Sequence, residues 1–380
     1  MLNYIILIKI QMGICDSSSP NEIINSESTQ DDFLSNNYSV RKKNIIKNNK
    51  LILKQNNGFI LPANIAKREN VKKYYHIKQK VLGEGTSGKV CLGEKKGVQY
   101  ALKMINKEKI KTKSFKRFIL EAEISLQLKH ENIITYYEIY EDSEYITYIM
   151  ELAEGGDLFD FIVGCPLGHL PADIVITLSL QIFSVVDYLH SIKGIMHRDL
   201  KPENFMIKID ADNKPLIKLI DFGFAAYIPK NGEKLHDFLG TREYVAPEIV
   251  QEKGYTEKVD EWALGVIFYN MLTGFEPFRG NTPSELRDSV LFSPIKFDKI
   301  EDVDLRELCQ KLLNRYVSKR ITCKEALFEI HRIKVERDNY SKGIKRLNKK
   351  TSSEILRKES QEIPVFMNYW EKVTRNIEFS

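Results

Sequence analysis

A chain that mixes strands with helices and has room for two lobes is predicted by three observations. At 380 residues and 44.1 kDa the protein exceeds what one compact domain needs, which leaves enough for two lobes plus tails. Its hydrophobic fraction of 43% supplies an ordinary globular core. From His76 the chain alternates as strands do, changes to a helical pattern over Phe115–Lys129, and returns to strand over Leu216–Ile220.

Composition excludes several classes. A net charge of +5, from 57 basic and 52 acidic residues, lacks the concentrated basic surplus of a nucleic-acid binder, so no nucleic-acid partner is expected. Cys15, Cys91, Cys165, Cys309 and Cys323 are odd in number, scattered and without a C-x-x-C pair, which reads as a reducing, cytoplasmic compartment. No run of about 18 apolar residues stands out, so no membrane span is expected. The apolar opening has no basic start and is broken by Lys9, which argues against a secretion signal.

Met12-Gly13-Ile14-Cys15-Asp16-Ser17 fits the M-G-x-x-x-[ST] pattern for N-myristoylation. The chemistry requires Gly13 at the N-terminus, so translation is expected to start at Met12; the alternative is a chance match within an unstructured leader that starts at Met1. Cys15 then offers a palmitoylation site, and two acyl chains anchor a protein to a membrane where one does so only marginally. Residues 1–73 otherwise read as an unstructured arm rich in Asn, Ser, Lys and Ile.

Next comes Gly83-Glu84-Gly85-Thr86-Ser87-Gly88-Lys89-Val90, the pattern G-x-G-x-x-G-x-V between two strand-like runs. Glycines let backbone close over phosphates, and Val90 offers an apolar surface to a base. A dinucleotide-binding turn would lead into a helix, whereas Val90-Cys91-Leu92 continues as strand. Lys103 follows on the next strand and Glu121 on the helix after it; a lysine held by a glutamate can present its ammonium to the α- and β-phosphates. Glu123 is the competing acid, but it faces another side of the helix.

His197-Arg198-Asp199-Leu200-Lys201-Pro202-Glu203-Asn204 supplies the chemistry. Asp199 is suited to orient a hydroxyl nucleophile and accept its proton. Lys201 can neutralise a transferring phosphoryl group, and Asn204 can ligate a metal. Asp221-Phe222-Gly223 follows seventeen residues after Asn204, with Asp221 placed to hold magnesium between phosphates. On these strings the chain resembles a eukaryotic protein kinase over about residues 75–331.

That resemblance implies the α+β bilobal protein-kinase fold, with a β-rich small lobe (74–150), a mainly α-helical large lobe (154–331) and a basic tail (332–380). ATP and Mg2+ are the implied cofactors. Leu82, Gly83, Gly85, Gly88, Val90, Ala101, Lys103, Met150, Glu151 and Ala153 would line the nucleotide pocket, with Met150 as gatekeeper and Glu151–Ala153 as hinge. Glu121 takes the kinase spacing before His130. Glu248 of Ala246-Pro247-Glu248 would pair with Arg320, and Asp260 would lie on the helix that anchors the catalytic loop.

Lys201 and Thr241 match serine/threonine rather than tyrosine kinases. By family analogy Glu203 and Asp157 would face a basic residue three before the acceptor. Phe222 to Gly240 contains no serine or threonine, so Glu233 and Asp237 are expected to give the loop fixed negative charge. This pattern, the acylation signal and the His130–Ile133 turn resemble the calcium/calmodulin-dependent and calcium-dependent kinase group. No D-x-D-x-D-G calcium loop occurs; Asp210-Ala211-Asp212 reads as a turn. Ser125, where relatives place a large apolar residue, is expected to loosen the small lobe. In the tail, Arg357–Ser360 fits the substrate pattern, and Phe366, Trp370, Val373 and Ile377 share a helical face. Docking of that face on the large lobe is the favoured reading over calmodulin binding. All key residues are present, which disfavours the alternative of a membrane-tethered pseudokinase scaffold.

Overall fold

The computed structural model describes residues 60–341 and 364–374, apart from 86–87, 111–114, 211 and 213, together with Glu362. Met12, Gly13, Cys15 and Arg357–Ser360 lie outside the described residues.

The small lobe is a five-stranded antiparallel sheet in the order β1-β2-β3-β5-β4. Its strands are β1 (His76–Gly85), β2 (Gly88–Lys95), β3 (Val98–Asn106), β4 (Tyr136–Glu141) and β5 (Tyr145–Met150). Helix α1 (Phe115–Gln127) crosses between β3 and β4. Alternation sends Leu102 and Ile149 to the face where Val71, Tyr75 and Tyr140 complete a buried cluster. Residues 60–73, expected to belong to the arm, instead pack here. Leu61, Ile65, Ala66 and Val71 are buried, and Lys67 bridges to Tyr140 at the edge strand β4. The buried N–H of Leu61 donates to Glu141 Oε2 at 2.8 Å. Four apolar side chains spaced through a polar stretch were enough to cover an edge that would otherwise lie open.

The large lobe opens with α2 (Leu158–Val163), capped by Asp157, and α3 (Ala172–Asp187). A π-type turn, Tyr188–Lys193, continues α3 and leads to β6 (Ile195–Met196), which pairs with β9 (Ala226–Tyr227). Between them lie the segment His197–Asn204, expected to carry the catalytic residues, and the hairpin of β7 (Phe205–Ile209) and β8 (Pro215–Leu219). Asp210 closes that hairpin by accepting from the N–H groups of Asp212 and Lys214 at 2.9 and 2.7 Å. The remaining helices are α4 (Pro247–Val250), α5 (Lys258–Thr273), α6 (Pro283–Phe292), α7 (Val303–Leu312) and α8 (Cys323–Ser341). Nearly every residue of α5 is buried, as a helix apolar on all sides must be.

Ala172–Lys193 is long and apolar enough to cross a membrane by length and composition, which corrects the expectation that no such stretch exists. Its place explains the composition: α3 is the central helix of the lobe, packed against α5, α8 and β8. Helix α8 runs unbroken past residue 331, and Arg337 ties it to Asp302 and to Asp173. A ninth helix, α9, spans residues 364–374 and lies on α2. There Phe366 and Trp370 meet Phe161 edge-on at 5.8 and 5.6 Å, and Tyr369 Oη donates to Phe161 O at 3.1 Å.

Behind α4 the Arg320 guanidinium, 0% exposed, donates to both oxygens of Glu248 at 2.7 and 2.9 Å. It also donates to the carbonyls of Asn314 and Lys258 and stacks over Trp262. Removing one partner strands the other charge in the core, so Glu248→Ala should cost about 3–5 kcal/mol in urea denaturation. The double variant Glu248→Ala/Arg320→Leu should recover part of that loss. A double variant less stable than Glu248→Ala would show that the Arg320 bonds to the Asn314 and Lys258 carbonyls and its packing outweigh the stranded charge.

Candidate active site

Three elements bring charge to the cleft between the lobes. Lys103 lies on β3, in register with Val90 on β2 and Tyr148 on β5, with its side chain towards α1. Its Nζ stands 3.1 Å from Glu121 Oε1 and 3.8 Å from Asp221 Oδ1. Burial disfavours this ammonium, but the charges of Glu121 and Asp221 outweigh burial and hold its pKa above the ordinary lysine value. In return the Lys103 charge, aided by the Gly223 N–H at 3.0 Å, keeps Asp221 below the usual carboxylate range against the effect of burial. Asp221 has a left-handed backbone, φ +60°, which turns its carboxylate back towards Lys103.

The second group surrounds Asp199. The backbone N–H and the hydroxyl of Thr241 both donate to Asp199 Oδ1, at 2.8 and 2.9 Å. Lys201 Nζ donates to Thr241 Oγ1 at 2.9 Å and lies 3.5 Å from Asp199 Oδ2. Asn204 Nδ2 donates to Asp199 O at 2.7 Å, which leaves the lone pairs of its amide oxygen to serve as a ligand. Gly240 is required here: at φ +101° its backbone passes so close to Arg198 O that a Cβ would sit 2.8 Å away.

The glycine-rich strand pair roofs the cleft. A Cβ on Gly88, φ +151°, would lie 2.2 Å from Met104 O, so only glycine lets β2 approach β3 at this point. Gly83 and Val90 are paired in the β1–β2 register, and Leu82 and Val81 leave apolar surface exposed beside them. Ala101 and Met150 face each other in the β3–β5 register, both buried. Ala153 lies in the irregular segment after β5. The Glu151 side chain is committed to Lys208 and Lys218 at 2.8 and 3.0 Å, so any part it takes in the hinge belongs to its backbone.

The expected substrate acids occupy different settings. Asp157 Oδ1 accepts from Asp160 N at 2.9 Å as the N-cap of α2. Glu203 sits in the turn Pro202–Asn204, against which α2 packs; its Oε2 is buried with no hydrogen-bond partner. Burial, with the negative charges of Glu203 and Glu276, raises the pKa of Tyr244 beside them.

His190 and Tyr136 were not singled out from the sequence, whereas Asp260 was, as part of the helix expected to anchor the catalytic loop. Asp260 on α5 accepts from the N–H groups of His197 and Arg198 at 2.7 and 2.8 Å and from His190 Nε2 at 2.8 Å. The D-E-W string pointed to the helix, but nothing marked His190 as its partner. Tyr136 stands beside Phe222 with ring centroids 6.5 Å apart, and only its position at the start of β4 hinted at that contact.

Residues 75–330 match the family model described as protein kinase domain. The chain is 36% identical over 251 residues to a probable myosin light chain kinase of Dictyostelium discoideum, which covers 66% of this chain and 63% of that one. It is 37% identical over 276 residues to calcium-dependent protein kinase 3 of Plasmodium berghei, covering 71% and 48% of the two chains. Similarity to calcium-dependent protein kinase 5 of Plasmodium falciparum is 35% over 315 residues, covering 80% and 54%. The chain therefore spans about half to just under two-thirds of the length of these relatives.

The Lys103–Asp221 coupling has a direct readout. Lys103→Met removes the cation, so the Asp221 carboxyl should titrate at higher pH by carbon-13 NMR. An unmoved Asp221 titration would place the source of its low pKa in the Gly223 N–H instead.

Proposed function

We propose that this chain, which belongs to the protein kinase family through residues 75–330, transfers the γ-phosphoryl group of ATP to serine or threonine in proteins with a basic residue three before the acceptor. The observation that carries the reading is the shared hydrogen-bond set of Asp199, Lys201 and Thr241. It holds a carboxylate ready for a hydroxyl proton beside an ammonium ready for phosphoryl charge, and Thr241 at that corner favours an aliphatic hydroxyl. Lys103, kept cationic by Glu121, is placed for the α- and β-phosphates.

ATP and Mg2+ are general requirements of the family. The residues present fit the ion: the Asn204 amide oxygen and the Asp221 carboxylate are hard oxygen donors, and Asp221 is held ionised. Bound there, Mg2+ would neutralise the phosphate oxygens. Glycine at position 88 keeps β2 tight against β3, so the roof passes over the cleft with no side chain at that point.

The unpartnered Glu203 Oε2 supports a basic substrate residue, since a guanidinium would satisfy a buried acceptor that otherwise costs free energy. Peptides with and without arginine three before the serine separate this from general damage, with Asp221→Asn as the inactive control. Glu203→Lys should lower kcat/KM for the arginine peptide by about 10–100-fold, from a charged hydrogen bond of ~1.5–3 kcal/mol. The alanine peptide should change little. Equal losses on both peptides would remove Glu203 from substrate recognition.

The activation segment, which in the family's pattern runs from Asp221 to Glu248, supports activity without phosphorylation. Arg198 Nε donates to Phe224 O at 2.6 Å, and Nη1 donates to Tyr255 Oη at 3.1 Å and reaches Asp237 Oδ2 at 3.5 Å. Asp237 is largely exposed, so this ion pair is worth no more than about 1 kcal/mol. Phosphatase-treated protein should keep its activity, and Asp237→Asn should lower it by roughly 2–5-fold. Inactivation by phosphatase would show that a phosphate supplies the charge.

A further inference from the structure

Behind the catalytic segment, on the side away from the cleft, three elements bring a histidine, a glutamate and a cysteine together. His190 belongs to the π-type turn after α3, Glu261 to the first turn of α5 and Cys323 to the start of α8. His190 Nδ1 lies 3.6 Å from Glu261 Oε1, and the three donor atoms are all within 4.8 Å of one another. Glu261 and Cys323 are each 2% exposed. Cys323 is a free thiol whose backbone N–H donates to Glu261 Oε1 at 3.2 Å. The other oxygen, Glu261 Oε2, is buried with no hydrogen-bond partner.

Nothing in the phosphotransfer chemistry uses these groups, and their arrangement is costly. Two adjacent carboxylates, Asp260 and Glu261, lie in the core, and a lone buried acceptor loses its hydration without return. His190 Nε2 is committed to Asp260, and although burial opposes it the two carboxylates favour the protonated ring, so its Nδ1–H faces Glu261 at 3.6 Å, too long for a good hydrogen bond. A dication between Nδ1, the carboxylate and the sulfur would satisfy all three. Nitrogen, oxygen and thiolate together form a donor set typical of Zn2+ rather than of Mg2+ or Ca2+. Asp260 on the far nitrogen is the outer carboxylate that fixes the ring of a metal-bound histidine. A π-type turn, a distortion often found where a helix serves a site, carries His190 into place.

We propose that His190 Nδ1, Glu261 and Cys323 form a binding site for a thiophilic divalent cation of the zinc class, separate from the cleft. Binding releases the Cys323 thiol proton to solvent, together with any proton on His190 Nδ1, and leaves thiolate, imidazole and carboxylate as ligands. Because His190 also holds Asp260, the cation clips the first turn of α5 and the start of α8 to the base of the catalytic segment.

Cobalt(II) provides a test independent of kinase activity, so its outcome is distinguishable from failure of the functional reading. The full chain, stripped with chelator and kept reduced, is titrated with Co2+. A stoichiometric thiolate-to-cobalt charge-transfer band should appear and be abolished by Zn2+. In Cys323→Ala that band should be lost, whereas Co2+ held by the oxygen ligands Asn204 and Asp221 produces no thiolate band. Zn2+ should also raise the thermal midpoint of the wild-type chain and not that of Glu261→Gln. Circular dichroism confirms that each variant is folded. Absence of the band in the wild-type chain, or its persistence in Cys323→Ala, would overturn the proposal.

Discussion

The Asp260 carboxylate, 1% exposed, accepts hydrogen bonds from the backbone of His197 and Arg198 and from the His190 ring. Taking such an ion out of water costs several kcal/mol, and fixed donors offset the cost only when their geometry is good. Here the donors are the two backbone groups just before Asp199. Arg198 has φ +71°, a conformation that costs a non-glycine residue of order 1–3 kcal/mol and survives only where its surroundings enforce it. The enforcement comes from α5, buried along nearly its whole length and therefore unable to shift without repacking the lobe. Asp199 is thus positioned by the large-lobe core rather than by its own loop.

From that fixed point, two lines of contact spread outward. The Arg198 side chain meets Phe224 O, Tyr255 and Asp237, so the activation segment is tied to the same residue whose backbone Asp260 holds. The His197 ring lies 5.4 Å from that of Phe222, Phe222 lies 6.5 Å from Tyr136, and Tyr136 lies 6.0 Å from Tyr148. Tyr148 in turn meets Phe118 on α1 at 5.9 Å. An aromatic path therefore joins the catalytic segment to the helix that carries Glu121, and the Lys103–Glu121 distance depends on packing in both lobes.

Much of the site was legible in the sequence because its chemistry needs fixed residue types at short spacing. Asp199, Lys201 and Asn204 lie within six residues, and the glycines of β1 and β2 occur in one string. Contacts made from the far side of the chain left no such trace. Glu151 is a partner of two lysines, a role set by where the β7–β8 hairpin happens to lie. The cluster of His190, Glu261 and Cys323 draws one residue from each of three distant segments, so no local pattern reveals it. Residues 60–73 looked unstructured because their few apolar side chains have no period; they fold mainly by adhering to the sheet, with one short 3-10 turn, Val71–Lys73, of their own.

Ser125 shows how a weak position is contained. It is 1% exposed and its hydroxyl has no partner, at a cost of about 1–3 kcal/mol, with none of the apolar contact a larger residue would make. The expectation that it loosens the small lobe treats α1 as hinged on that residue. Phe118 and Glu121, however, precede Ser125 by seven and four residues and so share its face. Phe118 packs against Tyr148, a contact worth about 0.5–1.5 kcal/mol beyond burial, and Glu121 holds Lys103. Ile124 and Leu128 are buried on either side. The helix is therefore anchored on the catalytic side of Ser125 by an aromatic contact and an ion pair. Any slack it introduces falls in the last turn of α1, beyond the residue that sets the position of Lys103.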